Sequence, residues 1–300
     1  MKKKEEHEQK SSEERTLLSV SVNNSKALKS AIKGGADVVY IDSDGKILEN
    51  EEWSSAIALA TEKGIPLYLH TPVIVKDGEM GKLRDRIELA KKLGFSGIVV
   101  ANAGVFRMIL GSVASDMKIH TDSSMNVFNR YTLELLTKKG ADTVTLSVEM
   151  NLGQITKISK YGNCEYIVHG GIQVMESEHC LIGGILGEKD DCGSHCKSGK
   201  FELVDEKGYE FLVRTDSDCR THIYNSRELC LLEEIPQLNK AGVSRLRIDA
   251  RTMNNEHIEK ATRAYRDGID SYFSGNKRQA WESSDISEYH TRGHYHRGVL

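Results

Sequence analysis

The sequence lacks the long apolar runs that membrane-spanning and secreted chains carry. No stretch of the 300 residues approaches the roughly 20 apolar residues that a membrane helix needs. The first fifteen residues are rich in lysine and glutamate and have no apolar centre, so they do not resemble a signal peptide. We expect residues 1–15 to form a disordered charged tail and residues 16–300 to form one domain, located in the cytoplasm.

Proline and net positive charge are also scarce. The chain has 3 prolines against 26 glycines, and its net charge is −3. Many glycines with few prolines indicate compact elements joined by tight turns. The slightly negative charge argues against a generally basic surface, so the sequence carries no strong nucleic-acid signal.

Two motifs of hydrolytic enzymes are missing. The sequence contains neither a Gly-x-Ser-x-Gly elbow, which positions a nucleophilic serine, nor a His-Glu-x-x-His pair, which binds zinc in metalloproteases. A Gly-rich phosphate loop is also absent after the first predicted strand. Motifs therefore support neither a serine hydrolase, nor a zinc protease, nor a dinucleotide-binding fold.

The cysteines are few, but four of the six are clustered. Cys180, Cys192, Cys196 and Cys219 follow a C-x11-C-x3-C-x22-C spacing. Because a chain without a secretion signal keeps its cysteines reduced, thiolates grouped in this way are most simply metal ligands. Four thiolates suit either a tetrahedral zinc ion or an iron–sulfur cluster, and the spacing does not choose between them. Ordinary unligated cysteines and two disulfides are the alternatives.

Short apolar runs alternate with amphipathic segments from Leu17 to Arg266. The apolar runs predict strands at 17–22, 38–41, 66–70, 97–100, 117–122, 143–146, 164–169 and 245–249. The segments after them predict helices at 25–33, 53–63, 79–93, 105–110, 131–139, 152–160, 226–240 and 255–266. Since parallel strands need such crossovers, eight of these units predict an α/β fold of the TIM-type (β/α)8 barrel class. A doubly wound open sheet is the alternative.

Residues 170–225 interrupt the seventh unit and contain all four clustered cysteines. Within this insert, Phe201–Val213 alternates apolar and polar residues around a Glu-Lys-Gly turn, which predicts a β-hairpin. Loops that follow the strands of such a barrel lie at its C-terminal face, where active sites are built. We therefore expect the insert at this mouth of the barrel, with the hairpin as a lid. Cys164 starts the seventh strand at the opposite end and is predicted to be a buried apolar residue.

Polar side chains follow most of the predicted strands, so they should meet at the mouth. Residues at strand ends are often only loop caps, but so many on one face indicate a site. Of these, His70, His169 and Glu149 are the candidate general acids and bases. The full set of candidate catalytic residues is His70, Asp122, Asn126, Glu149, His169, Arg220 and Arg251.

Three arginines could hold an anionic substrate group at this mouth. Arg220, Arg247 and Arg251 each carry a planar guanidinium that binds a carboxylate or phosphate in bidentate fashion. For Arg247, which lies inside the eighth predicted strand, an ion pair within the barrel is the alternative.

Several longer runs of sequence carry a family resemblance. They are His169-Gly-Gly with Met175-Glu-Ser-Glu-His-Cys180, the Cys192 and Cys196 pair, Phe201-Glu-Leu-Val-Asp205, and Asp216-Ser-Asp-Cys219-Arg220 with Ile223-Tyr-Asn225. Further runs lie at 121–129, 146–152, 246–251 and 291–298. Together they resemble the collagenase-like peptidases of family U32, and the chain is most similar to the C-terminal half of the long members.

The resemblance implies a cofactor as well as a fold. The family carries a peptidase label, yet the resemblance also extends to its iron–sulfur relatives. These support oxygen-independent hydroxylation of ubiquinone precursors or of RNA bases, with prephenate implicated as the oxygen source. By motif match, a 4Fe-4S cluster would be held by Cys180, Cys192, Cys196 and Cys219, with zinc as the alternative. The implied function is an iron–sulfur enzyme that hydroxylates, or otherwise modifies, a small aromatic or nucleobase substrate.

Two other functions stay open from the sequence. One is a U32-type, collagenase-like peptidase, which would need a nucleophile or an open hydrolytic metal, because four thiolates leave zinc closed. The other is a non-catalytic, metal-stabilised partner of a homologous subunit. The expected partners are therefore a small-molecule or nucleobase substrate and a homologous subunit, with no membrane.

Overall fold

Eight parallel strands close on themselves to form the barrel that the sequence predicts. The computed structural model describes residues 15–42, 51–111, 116–188, 191–275, 282–286 and 289–298. Seven of the barrel strands, in order, are β1 (Leu17–Val22), β2 (Val38–Asp42), β3 (Leu67–His70), β4 (Gly97–Val100), β5 (Lys118–Thr121), β6 (Thr143–Thr145) and β7 (Cys164–Gly170). The eighth is Arg245–Asp249, where Leu246 pairs with Leu18 of β1 on one side and with Tyr166 of β7 on the other. These two pairings close the barrel.

The other strands belong to the insert or lie beside β7. They are β8 (Gln173–Ser177), β9 (Phe201–Val204), β10 (Glu210–Thr215), β11 (Thr221–Tyr224) and β12 (Glu228–Cys230), after which come the eighth barrel strand, β13 (Arg245–Asp249), and β14 (His290–Thr291). Strand β12 pairs antiparallel with β7, and β14 extends this edge beside β12. All eight predicted barrel strands are thus present, and their ends agree with the prediction to within one residue.

Helices cover the outside of the barrel. They are α1 (Ser25–Gly34), α2 (Glu51–Glu62), α3 (Met80–Lys92), α4 (Ala103–Leu110), α5 (Arg130–Lys138), α6 (Leu152–Ile158), α7 (Leu181–Leu186), α8 (Ile235–Lys240), α9 (Asn255–Ser274) and α10 (Ser283–Ile286). Short 3-10 helices lie at Asp77–Glu79, Ser123–Met125, Ser159–Tyr161, His195–Lys197 and Leu232–Glu234. None of the helices in the described ranges combines the length and apolar character that crossing a membrane requires.

Asparagine starts many of these helices. Five of them, α1, α4, α5, α6 and α9, begin after an asparagine whose side chain accepts a hydrogen bond from the backbone N–H three residues on. Such a cap satisfies one of the free N–H groups at the first helical turn. Asn102 and Asn151 are two of these caps. Although both follow barrel strands, their position is explained by helix capping.

The helix predicted over residues 226–240 is wrong in its first half. Glu228–Cys230 forms strand β12, a 3-10 turn follows at Leu232–Glu234, and the helix is limited to α8. A short apolar run such as Leu229–Leu232 does not distinguish a strand from a helix by periodicity. Pro236, which lies at the start of α8, also restrains a helix from continuing through it. The C-terminal end of β7 decides the outcome, because its residues His169 and Gly170 supply the pairing partners for β12.

The insert folds into its own small antiparallel sheet in the order β8-β11-β10-β9. The predicted hairpin is confirmed as β9 and β10, with Phe201 opposite Val213. Strand β11 pairs with β10, and β8 pairs with β11. Neither of these two strands is predicted from the sequence. A small apolar cluster packs in the insert, and its buried residues are Ile182 of α7, Val213 of β10 and Ile223 of β11. Residues 1–14 of the predicted tail lie outside the described residues.

Candidate functional site

A cavity of about 260 Å³ lies at the C-terminal end of the barrel strands. The barrel side of its wall comes from the ends of strands β2, β3, β5 and β13, and the insert side comes from β8, β11 and the turn before β11. Within the described chain, the hairpin residues 201–213 do not line it, so β8 and β11 take the place predicted for the hairpin. Six of the seven candidate residues line the cavity: His70, Asp122, Asn126, Glu149, Arg220 and Arg251.

His70 lies between two carboxylates on the floor of this cavity. It ends β3, is 5% exposed, and has Nε2 3.5 Å from Asp122 Oδ1 and Nδ1 3.9 Å from Asp42 Oδ1. Burial lowers the pKa of His70, but Asp122 and Asp42 outweigh this effect and raise it above the ordinary histidine value. A histidine in this environment can hold a proton and pass it to a substrate near neutral pH.

Asp122 connects the cavity to the interior of the barrel. Its side chain caps the 3-10 helix Ser123–Met125 and forms an ion pair with Arg247, which is 1% exposed. Burial opposes ionisation, but Arg247 and then His70 hold the pKa of Asp122 well below its usual value. Arg247 also lies 3.4 Å from Glu165 inside the barrel. Arg247 is therefore an internal ion-pair residue, as its alternative interpretation proposed.

A buried polar network continues below Arg247. Glu165 accepts hydrogen bonds from Tyr40 at 2.6 Å, from Ser19 at 2.7 Å and from Thr145 at 2.9 Å. These donors satisfy a carboxylate that is only 1% exposed. The network forms a hydrogen-bonded polar layer beneath the cavity.

Arg251 is held in place by two carboxylates, at the ends of strands β13 and β2. It binds Asp249 in bidentate geometry, at 2.9 Å and 2.7 Å, and lies 3.6 Å from Asp42. Burial disfavours the charged guanidinium, yet Asp249 and Asp42 raise the pKa of Arg251 further. Because Asp42 also faces His70, the histidine and the arginine are linked through one carboxylate.

Arg220 brings the insert against the barrel. It is 4% exposed, and its guanidinium lies 3.2 Å from Glu79 at the start of α3 and 3.6 Å from Asp218 of the insert. Arg214 adds a second attachment by donating hydrogen bonds to the carbonyls of Arg251 and Thr252. The cysteine-bearing insert is thus fixed at the mouth by charged and polar contacts.

The structure adds site residues that the sequence did not single out. His222, on β11, lines the cavity with Nε2 3.0 Å from Asp216 Oδ2 and Nδ1 3.3 Å from Gln173 Oε1. Asp216 also accepts backbone hydrogen bonds from residues 218 and 220, and so shapes the turn before β11. The alternation of Thr221 to Tyr224 was the only sequence signal for this strand, and it is too short to be decisive.

His169 does not point into the cavity, so the expectation that it shares the mouth is wrong. The pairing of β7 with β13 shifts by one residue, since Ile167 pairs with Arg247 and His169 with Ile248. This β-bulge leaves Val168 as the extra residue and reverses the alternation of side chains beyond it. Ile167 still faces the cavity. His169 faces the helices instead, where its ring lies 5.4 Å from that of Tyr265.

The four clustered cysteines come from three segments of the insert. Cys180 precedes α7, Cys192 and Cys196 belong to the loop after it, and Cys219 lies in the turn between β10 and β11. A Cβ atom on Gly183 would lie 3.2 Å from the sulfur of Cys180 and 3.1 Å from Cys192 Cβ, so this glycine lets the two approach. Burial and the other three thiols raise the pKa of Cys219. The four side chains therefore lie near one another.

Two further observations describe this cysteine group. Among the residues that the structure describes, no three of its sulfurs lie mutually within 4.8 Å. Cys219 has a left-handed backbone, with φ of 61°, which a residue with a side chain adopts at a cost. The other two cysteines are elsewhere: Cys164 and Cys230 are both fully buried in the main core. Cys230 lies on β12 and not on a helix.

Comparisons with known proteins bear on this site. The sequence model of peptidase family U32 matches residues 23–299. An uncharacterized protease of Methanocaldococcus jannaschii is 27% identical over 277 residues, which cover 85% of this chain and 65% of that protein. The tRNA hydroxylation protein P2 of Bacillus subtilis is 26% identical over 226 residues, which cover 73% of this chain and 72% of that protein. The chain thus spans about two thirds of the length of these relatives.

One solved structure matches the fold over most of its length. Thiamine phosphate pyrophosphorylase from Pyrococcus furiosus superposes with a TM-score of 0.50 at 13% identity, covering 86% of this chain and 96% of that enzyme. At this identity the similarity concerns the barrel alone.

Proposed function

The chain belongs to peptidase family U32, and on this basis we propose that it is an iron–sulfur enzyme that hydroxylates, or otherwise modifies, a small aromatic or nucleobase substrate without molecular oxygen. The observation that carries the proposal is the grouping of Cys180, Cys192, Cys196 and Cys219 beside the cavity at the barrel mouth. Cys219 lies between Asp218 and Arg220, and both of these residues line the cavity.

The donor set fits a cluster better than a single zinc ion. Tetrahedral zinc with Zn–S bonds of about 2.3 Å needs sulfurs roughly 3.8 Å apart. The sulfurs of this chain are spread more widely, since no three of the described ones come mutually within 4.8 Å. A 4Fe-4S cluster is larger than one ion and is held by four thiolates. Cys180, Cys192, Cys196 and Cys219 would hold it, and when bound it would supply one-electron chemistry.

The cavity supplies acid–base groups beside these cysteines. His70, with its raised pKa, can donate a proton to a substrate atom at the mouth, and Asp122 with Asp42 keeps the ring oriented. Glu149, which lines the same cavity, is the candidate base. These roles stay predictions that mutation can test.

The charge of the cavity favours a neutral ring as the group that enters it. Seven carboxylates line the wall against three arginines and two histidines: Asp42, Asp122, Glu149, Glu176, Asp216, Asp218 and Asp249 against Arg86, Arg220, Arg251, His70 and His222. Arg220 and Arg251 already form ion pairs with carboxylates of the chain. A phosphate or a dicarboxylate would have to displace these partners, whereas an aromatic or nucleobase ring would not.

The relatives also support a nucleobase substrate. One relative in family U32 carries the name tRNA hydroxylation protein. If this chain acts on tRNA, the negatively charged cavity would admit the base and leave the phosphates outside.

A peptidase activity has weaker support. Nucleophilic hydrolysis needs a hydroxyl or thiol hydrogen-bonded to a base. In the described part of the chain, neither ring nitrogen of His70 makes a hydrogen bond of normal geometry to a serine, threonine or cysteine. A role as the non-catalytic partner of a homologous subunit is the third possibility, and it predicts co-purification of that subunit.

The decisive experiment starts from anaerobically purified protein. We expect broad visible absorption, with iron and sulfide near four of each per chain. The Cys180→Ser and Cys219→Ser proteins should lose this absorption, and Cys164→Ser should keep it. Expression of wild type in a strain deprived of its own tRNA hydroxylation proteins should then restore hydroxylated nucleosides, measured by mass spectrometry of digested tRNA. Colourless protein with stoichiometric zinc would overturn the proposal.

A further inference from the structure

A second group of metal-ligating side chains lies behind the barrel wall, away from the cysteines. His169 of β7, Glu228 of β12 and His257 of α9 place their ligand atoms within 4.8 Å of one another. We propose that these three residues form a binding site for one divalent transition-metal ion. The site is independent of the proposed enzymatic function and of the four cysteines.

The burial of the His169 side chain without hydrogen bonds to the residues that the structure describes is unexplained unless a ligand binds it. It is fully buried, and neither of its ring nitrogens has a hydrogen-bond partner among the described residues. A buried polar atom left in this state is costly, and native structures rarely keep one without a reason. A neutral imidazole nitrogen is the form that binds metals, and neither nitrogen of His169 is engaged by the described chain.

The other two residues complete a compact ligand set around it. Nε2 of His257 lies 3.7 Å from Oε2 of Glu228, and it too lacks a hydrogen bond to the described chain. The rings of His169 and His257 meet edge to face with centroids 5.8 Å apart. Ligand atoms that share a zinc ion at about 2.1 Å lie roughly 3.4 Å apart. Only a small closing movement separates the observed arrangement from coordination.

The elements that carry these ligands are held by backbone pairing and a helix cap. The bulge at Val168 turns His169 outward, strand pairing places Cys230 of β12 opposite it, and Asn254 caps the helix turn that contains His257. Glu228 and His257 are only half-buried, so an ion can enter from solvent. Bulges are common beside functional sites, where they redirect a side chain. The bulge at Val168 directs a buried histidine toward a second histidine and a carboxylate, which supports a binding site here.

The ligand chemistry selects the class of ion. Two imidazoles and one carboxylate suit zinc and ferrous iron, whereas magnesium and calcium prefer oxygen ligands. Three protein ligands leave a further coordination position for water. Since His169 immediately precedes the insert and Glu228 closely follows it, the bound ion would tie both ends of the insert to α9.

The test is metal binding by the full chain. We would strip the protein of metals under reducing conditions and titrate it with Co²⁺ alone, comparing wild type with Glu228→Gln, His257→Ala and Glu256→Gln. Glu256 is the matched control, because it is exposed on α9 beside His257. Cobalt bound by nitrogen and oxygen gives weak visible bands, whereas cobalt on thiolates gives intense ultraviolet charge-transfer bands, so the two sites are distinguished in one spectrum.

We expect Glu228→Gln and His257→Ala to bind one equivalent less than Glu256→Gln, or to bind it at least about tenfold more weakly. The thiolate bands should be unchanged in all of them. Circular dichroism would verify that each variant is folded, and the two variants alter different elements, so one remains informative if the other unfolds. Equal stoichiometry and affinity in Glu228→Gln, His257→Ala and Glu256→Gln would overturn the site and leave a simple histidine–glutamate contact. Failure of the cysteine cluster would leave this result unaffected.

Discussion

The barrel and the insert are stabilised in different ways. Inside the barrel, Arg247, Asp122 and Glu165 are almost fully buried, and the arginine pairs with both carboxylates. In the insert, the apolar cluster has three buried residues, and two of the four grouped cysteines are exposed. The barrel therefore contains its own stabilising interactions. The insert depends on contacts with the barrel and, as we propose, on bound metal.

A binding site can therefore be built on the insert, because the barrel alone supplies most of the stability. A closed barrel with a large core tolerates an attached sheet that contributes little stability of its own. Ligand binding then offsets the conformational entropy that ordering the insert costs.

The largest effect should follow from removing Arg247. Arg247→Met leaves the buried carboxylates of Asp122 and Glu165 without their shared partner, so we expect a loss of about 3–5 kcal/mol in the free energy of unfolding. Urea denaturation measures it. The control is Arg84→Met, an exposed arginine on α3, which should change stability by less than about 0.5 kcal/mol. A small loss in Arg247→Met would show that the internal network is not essential.

A matched pair of isoleucines compares the two regions directly. Ile248→Ala, in the barrel, and Ile223→Ala, in the insert, remove the same atoms from positions that are 0% and 8% exposed. We expect Ile248→Ala to lower global stability by about 2–5 kcal/mol. Ile223→Ala should instead increase hydrogen exchange only within the insert. Equal effects on global unfolding in both variants would show that the insert and the barrel unfold as one unit.

Loss of a cysteine ligand should loosen the insert alone. A ligand present at 100 times its Kd stabilises the state it binds by about 2.7 kcal/mol, which corresponds to roughly a hundredfold change in opening. Cys180→Ser should therefore raise amide exchange across the insert by up to about this factor, with barrel strands unchanged. Cys164→Ser is the control, and it should leave exchange in the insert at the wild-type rate. Wild-type protection of the insert in Cys180→Ser would contradict the dependence on metal.

The smallest effect concerns the pH dependence of the cavity floor. The pKa of His70 is raised in the folded protein by Asp122 and Asp42, against the effect of burial. Its contribution to stability is thus fully present below the unfolded-state pKa of about 6.5 and is lost as pH rises through the folded value. Denaturation of wild type between pH 6 and 9 should show this decline, and His70→Gln should flatten it. A decline of equal size in His70→Gln would assign it to another group.

Local patterns in the sequence determined most of the barrel. The eight strands and the helices between them are visible because each strand is a short apolar run and most helices end at a glycine. Polar residues after those strands, such as His70, Asp122 and Arg251, met at the mouth because the ends of parallel strands must meet there. The sequence also predicted which four cysteines belong together, since all of them fall within one interruption of the pattern.

Tertiary structure alone decided the features that depend on pairing between distant segments. The bulge at Val168 turned His169 from the cavity to the helix side, and no local pattern indicates a bulge. Strand β12 exists because the edge of β7 supplies its hydrogen bonds. Asp216 and His222 form a hydrogen bond, and β8 and β11 form part of the cavity wall. Both features likewise depend on how the insert folds onto the barrel. The periodicity of a sequence indicates which side of an element is buried. Strand register and contacts between elements depend instead on the residues of the element that lies opposite.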